Sequence, residues 1–199
     1  MAVFDLFSKR QRRNRGETPD VYTYGSISEN LRVQIVHIWF EALGGENDYA
    51  QYDNDVRERY KGIVEVLRRE YGVFRLFKKR HIDDHYLEEL VNYFIECQDI
   101  ERTIDCIEIS FKVIDKWVRR ERNLRRDNNE VADQAIEELN IRLDEHAVGY
   151  QFLGGEIIRR DSQLLHVDVV VPALRLLDDQ AYSGAQAEFL RAHAHYRKG

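Results

Sequence analysis

The chain has 199 residues, of which 43% are hydrophobic and 33% charged, with only 2 Pro and 11 Gly. This composition excludes disordered, collagen-like and low-complexity chains and is typical of a globular protein with a full core. The two cysteines match no metal or redox spacing, and no apolar run approaches the roughly 18 residues that a membrane-spanning helix needs. A short apolar stretch before the first basic residues is the reverse of a secretory signal. We therefore expect a soluble cytoplasmic protein without a membrane partner.

The net charge of −6 argues against nucleic-acid binding by the chain as a whole, but basic residues cluster in three places. The clusters lie within residues 9–15, 75–80 and 119–126. The third stands where a long helix is expected to end, and basic residues there complement the helix dipole. A nucleic-acid footprint is the alternative interpretation. Its candidate residues are Lys9, Arg10, Arg12, Arg13, Arg15, Arg119, Arg120 and Arg122.

Helical periodicity dominates the chain after residue 25. Apolar residues spaced by three and four predict helices over about 31–42, 56–71, 87–95, 100–118 and 132–143. Ser26 and Glu29 form a candidate capping box for the first of these, which Gly44 and Gly45 end. Asp83 or Asp84 is the candidate cap of the third helix, and Asp99 that of the fourth.

The second predicted helix is amphipathic, with charged residues that include Arg68 on the face expected to meet water. Cys97 and Cys106 are interpreted as small buried residues. The stretch GYQFLGGEIIRR, from Gly149 to Arg160, is typical of a β-hairpin. The predicted fold class is therefore mainly α, a helical bundle with one small β-hairpin near residues 150–160.

A further helix is expected over about 163–177 and a short amphipathic one over 184–198. The second of these carries an apolar face that we expect to contact another domain, formed by Phe189, Leu190, His193 and Tyr196. Gly199 is typical of a residue that ends a helix and leads into a next element, so we expect the chain to be cut from a longer one. The alternative is that this helix packs on its own domain and Gly199 is a natural end.

Candidate catalytic and metal-binding groups are sparse. His81 and His85 are four residues apart but have no further ligand at a recognisable spacing, so we expect no metal. No phosphate-binding loop, nucleophile elbow or metalloprotease motif is present, and no cofactor is expected. Arg160 and His166 are the best of several Arg/His pairs whose spacing is similar to that of HEPN ribonuclease sites. With 30 Lys and Arg residues and 7 His, such pairs also arise by chance.

Three stretches of the chain resemble the N-terminal domain of bacterial AbiJ-type abortive-infection proteins. They are SKRQRRNRGETPDVYTYGSISENLRVQIVHIWFEAL (8–43), GYQFLGGEIIRRDSQLLHVDVVVPALRLL (149–177) and AEFLRAHAHYRKG (187–199). The resemblance implies a basic N-terminal arm over 1–25, a helical domain over 26–180 and a C-terminal helix over 184–199. In that family a HEPN-type helical domain follows, and it is thought to be the toxic ribonuclease. The resemblance therefore supplies no catalytic residue for this chain.

These observations leave three functions open. The first is a sensing or regulatory module of an antiphage protein, with the HEPN-type domain of the same parent as its partner and no enzymatic activity of its own. The second is a nucleic-acid-binding adaptor that uses the basic clusters, with Tyr22 and Tyr24 available for base stacking. The third is a ribonuclease that uses Arg160 and His166. Other expected partners are RNA, a phage component and a second copy of the chain.

Overall fold

The computed structural model describes residues 4–16, 22–50, 54–76, 85–120 and 127–160. The chain divides into two compact units, one ending at Ile158 and the other beginning at Arg159. Of the second unit only Arg159 and Arg160 are described, so the fold given below is that of the first. The helices expected over 163–177 and 184–198, with Phe189, Leu190, His193 and Tyr196, lie outside the described residues.

The described residues form seven α-helices, one short 3₁₀ helix and one β-hairpin, which confirms the predicted fold class. None of the described helices has the length and apolarity needed to cross a lipid bilayer. The elements in chain order are α1 (Phe7–Asn14), α2 (Glu29–Leu43), α3 (Glu46–Ala50), α4 (Asn54–Glu70), α5 (Tyr86–Glu96), α6 (Ile100–Lys116), the 3₁₀ helix Val118–Arg120, α7 (Asn128–Glu145), β1 (Tyr150–Leu153) and β2 (Glu156–Arg159).

The start of α2 differs from the predicted one. Ser28 is the N-cap, and its Oγ accepts a hydrogen bond from the backbone N–H of Leu31 at 3.3 Å. The capping box of Ser26 and Glu29 is therefore wrong, because Glu29 is already the first helical residue. The end of α2 is as predicted: Gly44 has φ 103°, and a Cβ on it would lie 2.7 Å from a methyl carbon of Val56. Only glycine combines that backbone conformation with so close a neighbour.

The cap of α5 also differs from the prediction. His85 is the N-cap, and its Nδ1 accepts from the backbone N–H of Glu88 at 3.2 Å, so the assignment to Asp83 or Asp84 is wrong. Asp99 and Asp127 cap α6 and α7, each accepting from two backbone N–H groups of the first turn. Two of these three caps are carboxylates at the positive end of a helix dipole, where negative charge is stabilising.

The core is built around α2, which packs against α4, α5, α6 and α7. Leu31, Ile35 and Trp39 are completely buried, and the Trp39 ring lies 4.7 Å from that of Phe94 in α5. Each such side chain contributes about 1.5–3 kcal/mol by leaving water. Val33, on another face of the same helix, is exposed.

The hairpin closes one side of this bundle. Gly154 and Gly155, between its strands, have φ 63° and 89°, which a two-residue turn of type I′ requires. Phe152 of β1 is buried, and its ring lies 5.9 Å from that of Phe111 in α6. The Gly-Gly pair and the inward-facing Phe therefore explain why this segment forms strands in an otherwise helical chain.

Candidate interaction surface

The first basic cluster forms α1, a helix with no buried residue. Its N-cap, Leu6, supplies no side-chain hydrogen bond. Three large apolar side chains at this end are mostly exposed: Phe4 by 64%, Leu6 by 57% and Phe7 by 68%. The surface that α1 presents to solvent is therefore both basic and apolar.

Several cations of α1 already have partners within the domain. Lys9 Nζ lies 2.6 and 2.9 Å from the two carboxylate oxygens of Glu145 in α7. Arg13 pairs with the Asp5 carboxylate at 2.5 Å, and Arg10 donates to the Asp5 backbone oxygen. Arg12 and Arg15 are exposed. The predicted nucleic-acid footprint over Lys9–Arg15 thus stays a prediction, with part of its charge neutralised by carboxylates of the same chain.

The partner of α1 is the acidic last turn of α7. Asp144 and Glu145 stand where the helix dipole is negative, so their charges are unfavourable there without cations or donors nearby. The Glu145 carboxylate accepts hydrogen bonds from Lys9 of α1 and, at 3.2 Å, from Arg142 Nη1. Asp144 Oδ1 accepts a hydrogen bond from the Tyr22 hydroxyl at 2.9 Å. The N-terminal segment therefore stabilises the end of α7 electrostatically.

Backbone pairing anchors the same segment just beyond α7. Thr23 N–H donates to the Ala147 oxygen at 2.8 Å, and Gly149 N–H donates to the Thr23 oxygen at 2.9 Å. The Tyr24 ring packs edge-on against Tyr150 at 5.4 Å. Tyr22 and Tyr24, which the sequence offered for base stacking, thus make contacts within the domain.

His146, which follows α7, joins this junction to α2. Its Nε2 lies 3.0 Å from the Gln34 side-chain oxygen and its Nδ1 lies 3.2 Å from Ser28 Oγ. Since the amide oxygen only accepts, Nε2 carries the proton and Nδ1 accepts from the Ser28 hydroxyl. Burial lowers the pKa of His146, and the positive charges of Arg142, Lys9 and Arg12 lower it further, against the raising effect of Glu145.

In the third basic cluster, Arg119 has a structural role. Arg119 Nη2 lies 2.8 Å from Asp115 Oδ1 in α6 and 2.8 Å from Asp133 Oδ1 in α7. Hydrogen bonds to Asp133 and Asp115 raise the pKa of Arg119. Arg120 is exposed, and Arg122 lies outside the described residues. Arg119 therefore joins α6 to α7, and its charge is compensated by two carboxylates.

Two charged residues in the interior were not recognised from the sequence. Glu89 in α5 is only 8% exposed and accepts from both Nε and Nη2 of Arg68 and, at 2.7 Å, from the Leu76 backbone N–H. The assignment of Arg68 to the wet face of its helix is therefore wrong. Arg32 in α2 is likewise buried, and it donates to the backbone oxygens of Ile27 and Phe94. Neither position interrupts the apolar periodicity, so no local signal marks them.

The described ranges hold no metal-binding group of three His, Cys, Asp or Glu side chains. His81 lies outside those ranges, and His85 is a helix cap. Cys106 is buried, as predicted, and burial raises the pKa of its thiol, whereas Cys97 is only half-buried. Arg160 is partly buried, and His166 lies outside the described residues.

A shallow groove runs between α2 and α7. It is lined by Ile38, Glu41, Ala42, Val131, Gln134, Ala135 and Glu138. Its space of about 10 Å³ suits a single water molecule rather than a substrate.

The described residues thus form a helical domain that carries an exposed, partly neutralised basic helix. The model of the family described as AbiJ N-terminal domain 4 matches residues 5–173, and the chain belongs to this family. The suspected AbiJ-type N-terminal domain is thereby confirmed, and with it an association with abortive infection. No curated protein and no solved structure matches the chain.

Proposed function

We propose that this chain is the sensing and regulatory module of an abortive-infection protein, and that it controls a HEPN-type ribonuclease domain of the same parent. Membership of the AbiJ N-terminal domain 4 family supports the abortive-infection role. The observation that carries the regulatory role is the position of α1, which buries no residue of its own and lies against α7 through the ion pair of Lys9 and Glu145.

A regulatory module needs an element that can exchange one set of contacts for another. The side chains of Lys9 and Glu145 are 23% and 29% exposed, and a pair in such a position contributes only about 0.2–1 kcal/mol. A partner that binds the apolar end of α1 can therefore displace the helix at small cost. Thr23, held by two backbone hydrogen bonds, would remain in place as the pivot.

The ion pair of Lys9 and Glu145 can be tested in cells by reversing the charge of each residue. Lys9→Glu and Glu145→Lys each place like charges together, and the double variant restores an opposite pair. We expect each single variant to change toxicity or phage protection, measured as colony formation and plating efficiency, and the double variant to return both towards wild type. Glu145→Lys also replaces the contact with Arg142 by a like-charge pair, but cations suit the negative end of the α7 dipole, so the double variant should fold.

Lys61 and Glu58 provide a matched control, because they form an exposed ion pair at 3.3 Å within α4. Lys61→Glu should behave as wild type. If reversal at Lys9 is as silent as reversal at Lys61, α1 has no regulatory role and the proposal fails.

The proposal includes the absence of ribonuclease activity in this chain. Purified protein should leave single-stranded and structured RNA intact under conditions in which a HEPN-bearing protein cleaves them. Cleavage that is lost in a His166→Ala variant with an unchanged circular dichroism spectrum would instead assign the activity to Arg160 and His166.

A further inference from the structure

The N-terminal end of α1 is apolar and open to solvent. Phe4, Leu6 and Phe7 each expose more than half of their surface, and no residue of α1 is buried. Large apolar side chains are normally buried, and several of them left in water close together in the chain mark a contact outside the domain. The start of α1 is therefore a surface for a partner that receives apolar groups.

The rest of α1 is basic. Its five cations lie within residues 9–15, and Asp5 is the one acidic residue of the described range 4–16. Glu17 and Asp20 follow in the sequence, so the first 20 residues hold five basic and three acidic side chains. Asp5 pairs with Arg13 at 2.5 Å, which neutralises the only charge among the apolar residues. The segment by itself therefore keeps a net positive charge.

The other carboxylates that α1 meets belong to α7. Lys9 pairs with Glu145, which also accepts from Arg142 Nη1 at 3.2 Å and so keeps a cation when Lys9 leaves. Asp144 accepts from the Tyr22 hydroxyl at 2.9 Å. Separation of α1 from α7 therefore leaves both carboxylates with a donor and releases a helix of net positive charge.

We propose that α1 binds the surface of an anionic phospholipid bilayer, with its three apolar side chains among the lipid chains and its cations beside the lipid phosphates. Segments that combine Phe and Leu with many Lys and Arg residues bind in the membrane interface, and anionic lipids attract them. As the partner that displaces α1 from α7, the bilayer rests on the regulatory role proposed above. The expectation of no membrane partner came from the lack of a spanning segment, which binding at the surface does not need.

A protein groove fits α1 less well. Helices that bind in a groove present apolar anchors at positions i, i+3 or i+4, and i+7. In α1 the apolar residues end at Phe7, and the remaining two turns read SKRQRRN. The anchors of those turns are therefore missing, whereas a bilayer needs no stripe of anchors and no shaped pocket.

A nucleic acid would use only part of this surface. The cations suit its phosphates, and a phenyl ring can stack on a base. Leu6, which is 57% exposed, offers no ring for stacking. A bilayer surface accommodates the aliphatic and the aromatic side chains as well as the cations.

The test is flotation of the full chain with vesicles, made either of phosphatidylcholine alone or of phosphatidylcholine and phosphatidylglycerol in equal parts. We expect binding to the anionic vesicles only, and its loss at high salt because the charges are then screened. Phe7→Ala should weaken binding by about 10-fold, because less apolar surface leaves water. Arg12→Ala should weaken it by about 5-fold, and Phe7→Trp should retain it.

Glu145→Gln should have the opposite effect. It removes the anion that holds Lys9 against α7, so Lys9 reaches the lipid phosphates without breaking an ion pair. We expect vesicle binding to strengthen by up to about 5-fold, which corresponds to the contribution of an exposed pair. Weaker binding of the Glu145→Gln variant would contradict the release of α1 from α7.

Phe74→Ala is the matched control, because Phe74 is also an exposed phenylalanine but lies beyond α4. It should leave vesicle binding unchanged. Equal loss in the Phe7 and Phe74 variants, equal binding to neutral vesicles, or no vesicle binding by the wild-type chain would each overturn the proposal. Binding to a labelled RNA single strand but not to vesicles would assign α1 to a nucleic acid instead.

The lipid contact and the regulatory role have separate readouts. Vesicle binding together with a silent charge reversal at Lys9 in cells would remove the regulatory role and leave a lipid contact without it. A reversal that changes toxicity, together with no vesicle binding, would remove the lipid contact and leave the regulatory role.

Discussion

The side-chain amide of Asn140 in α7 pairs with the backbone of Phe152 in both directions. Asn140 Nδ2 donates to the Phe152 oxygen at 3.0 Å, and Phe152 N–H donates to Asn140 Oδ1 at 2.8 Å. The amide thus supplies the donor and the acceptor that a neighbouring strand would offer to β1. A residue of α7 therefore satisfies the backbone N–H and C=O of Phe152 at the outer edge of the hairpin.

Replacing this amide should loosen the hairpin. Asn140→Asp keeps the acceptor for Phe152 N–H but removes the donor and places a carboxylate against a carbonyl oxygen. We expect it to lower the free energy of unfolding by about 1–3 kcal/mol, and Asn140→Ala to do so by a similar amount. Urea denaturation measures both. Asn30→Ala, on the exposed face of α2, is the control, and an equal effect there would contradict the role assigned to Asn140.

Gly149 should not accept a larger residue while Tyr24 is present. A Cβ on Gly149 would lie 2.2 Å from a ring carbon of Tyr24, so Gly149→Ala must displace the ring or the backbone. We expect a loss of about 1–3 kcal/mol in thermal or urea unfolding. In a Tyr24→Ala background the same change should cost clearly less, because the two residues interact. Strict additivity of the two substitutions would show that the contact is not responsible.

Removing the charge of Glu89 should lower the free energy of unfolding, even when the side chain keeps its shape. Glu89→Gln retains an acceptor for Leu76 N–H but removes the carboxylate that pairs with Arg68, whose side chain is 16% exposed. Loss of one partner from a buried pair destabilises by about 3–5 kcal/mol, and we expect a loss near the lower end of that range. Glu58→Gln, in an exposed pair, should change stability by less than about 0.5 kcal/mol. Similar effects of both substitutions would refute the buried-pair interpretation.

His146 should make the fold sensitive to mild acid. Its pKa in the folded protein lies below its ordinary value of 6.5, so at pH values between the two the unfolded chain binds more protons. Stability is therefore fully present above about pH 6.5 and falls as the pH drops towards the folded pKa. His146→Gln should show a smaller loss of stability between pH 7.5 and 5.5. Parallel pH profiles of the two proteins, measured by thermal unfolding, would contradict this assignment.

Much of the fold follows from spacing that spans no more than a few residues. Apolar residues three and four apart predicted α2, α4, α5, α6 and α7, and the Gly154–Gly155 turn predicted the hairpin. The first residue of α2 was harder to predict, because Ser26 and Ser28 are both of a residue type that commonly caps a helix. Which of them begins α2 depends on backbone conformation and on the bond from Ser28 to His146, 118 residues away.

The sequence by itself therefore determined the helical class, the family and most of the inward-facing apolar residues, since these follow from periodicity and from motifs along the chain. The tertiary structure alone decided which charges meet. Lys9 and Glu145 are 136 residues apart, and Arg68 and Glu89 belong to different helices. Their pairing depends on how the helices pack, because an ion pair is a contact in space that leaves no local pattern. For the same reason only the folded chain distinguished Phe74, left in water, from the phenylalanines of the core.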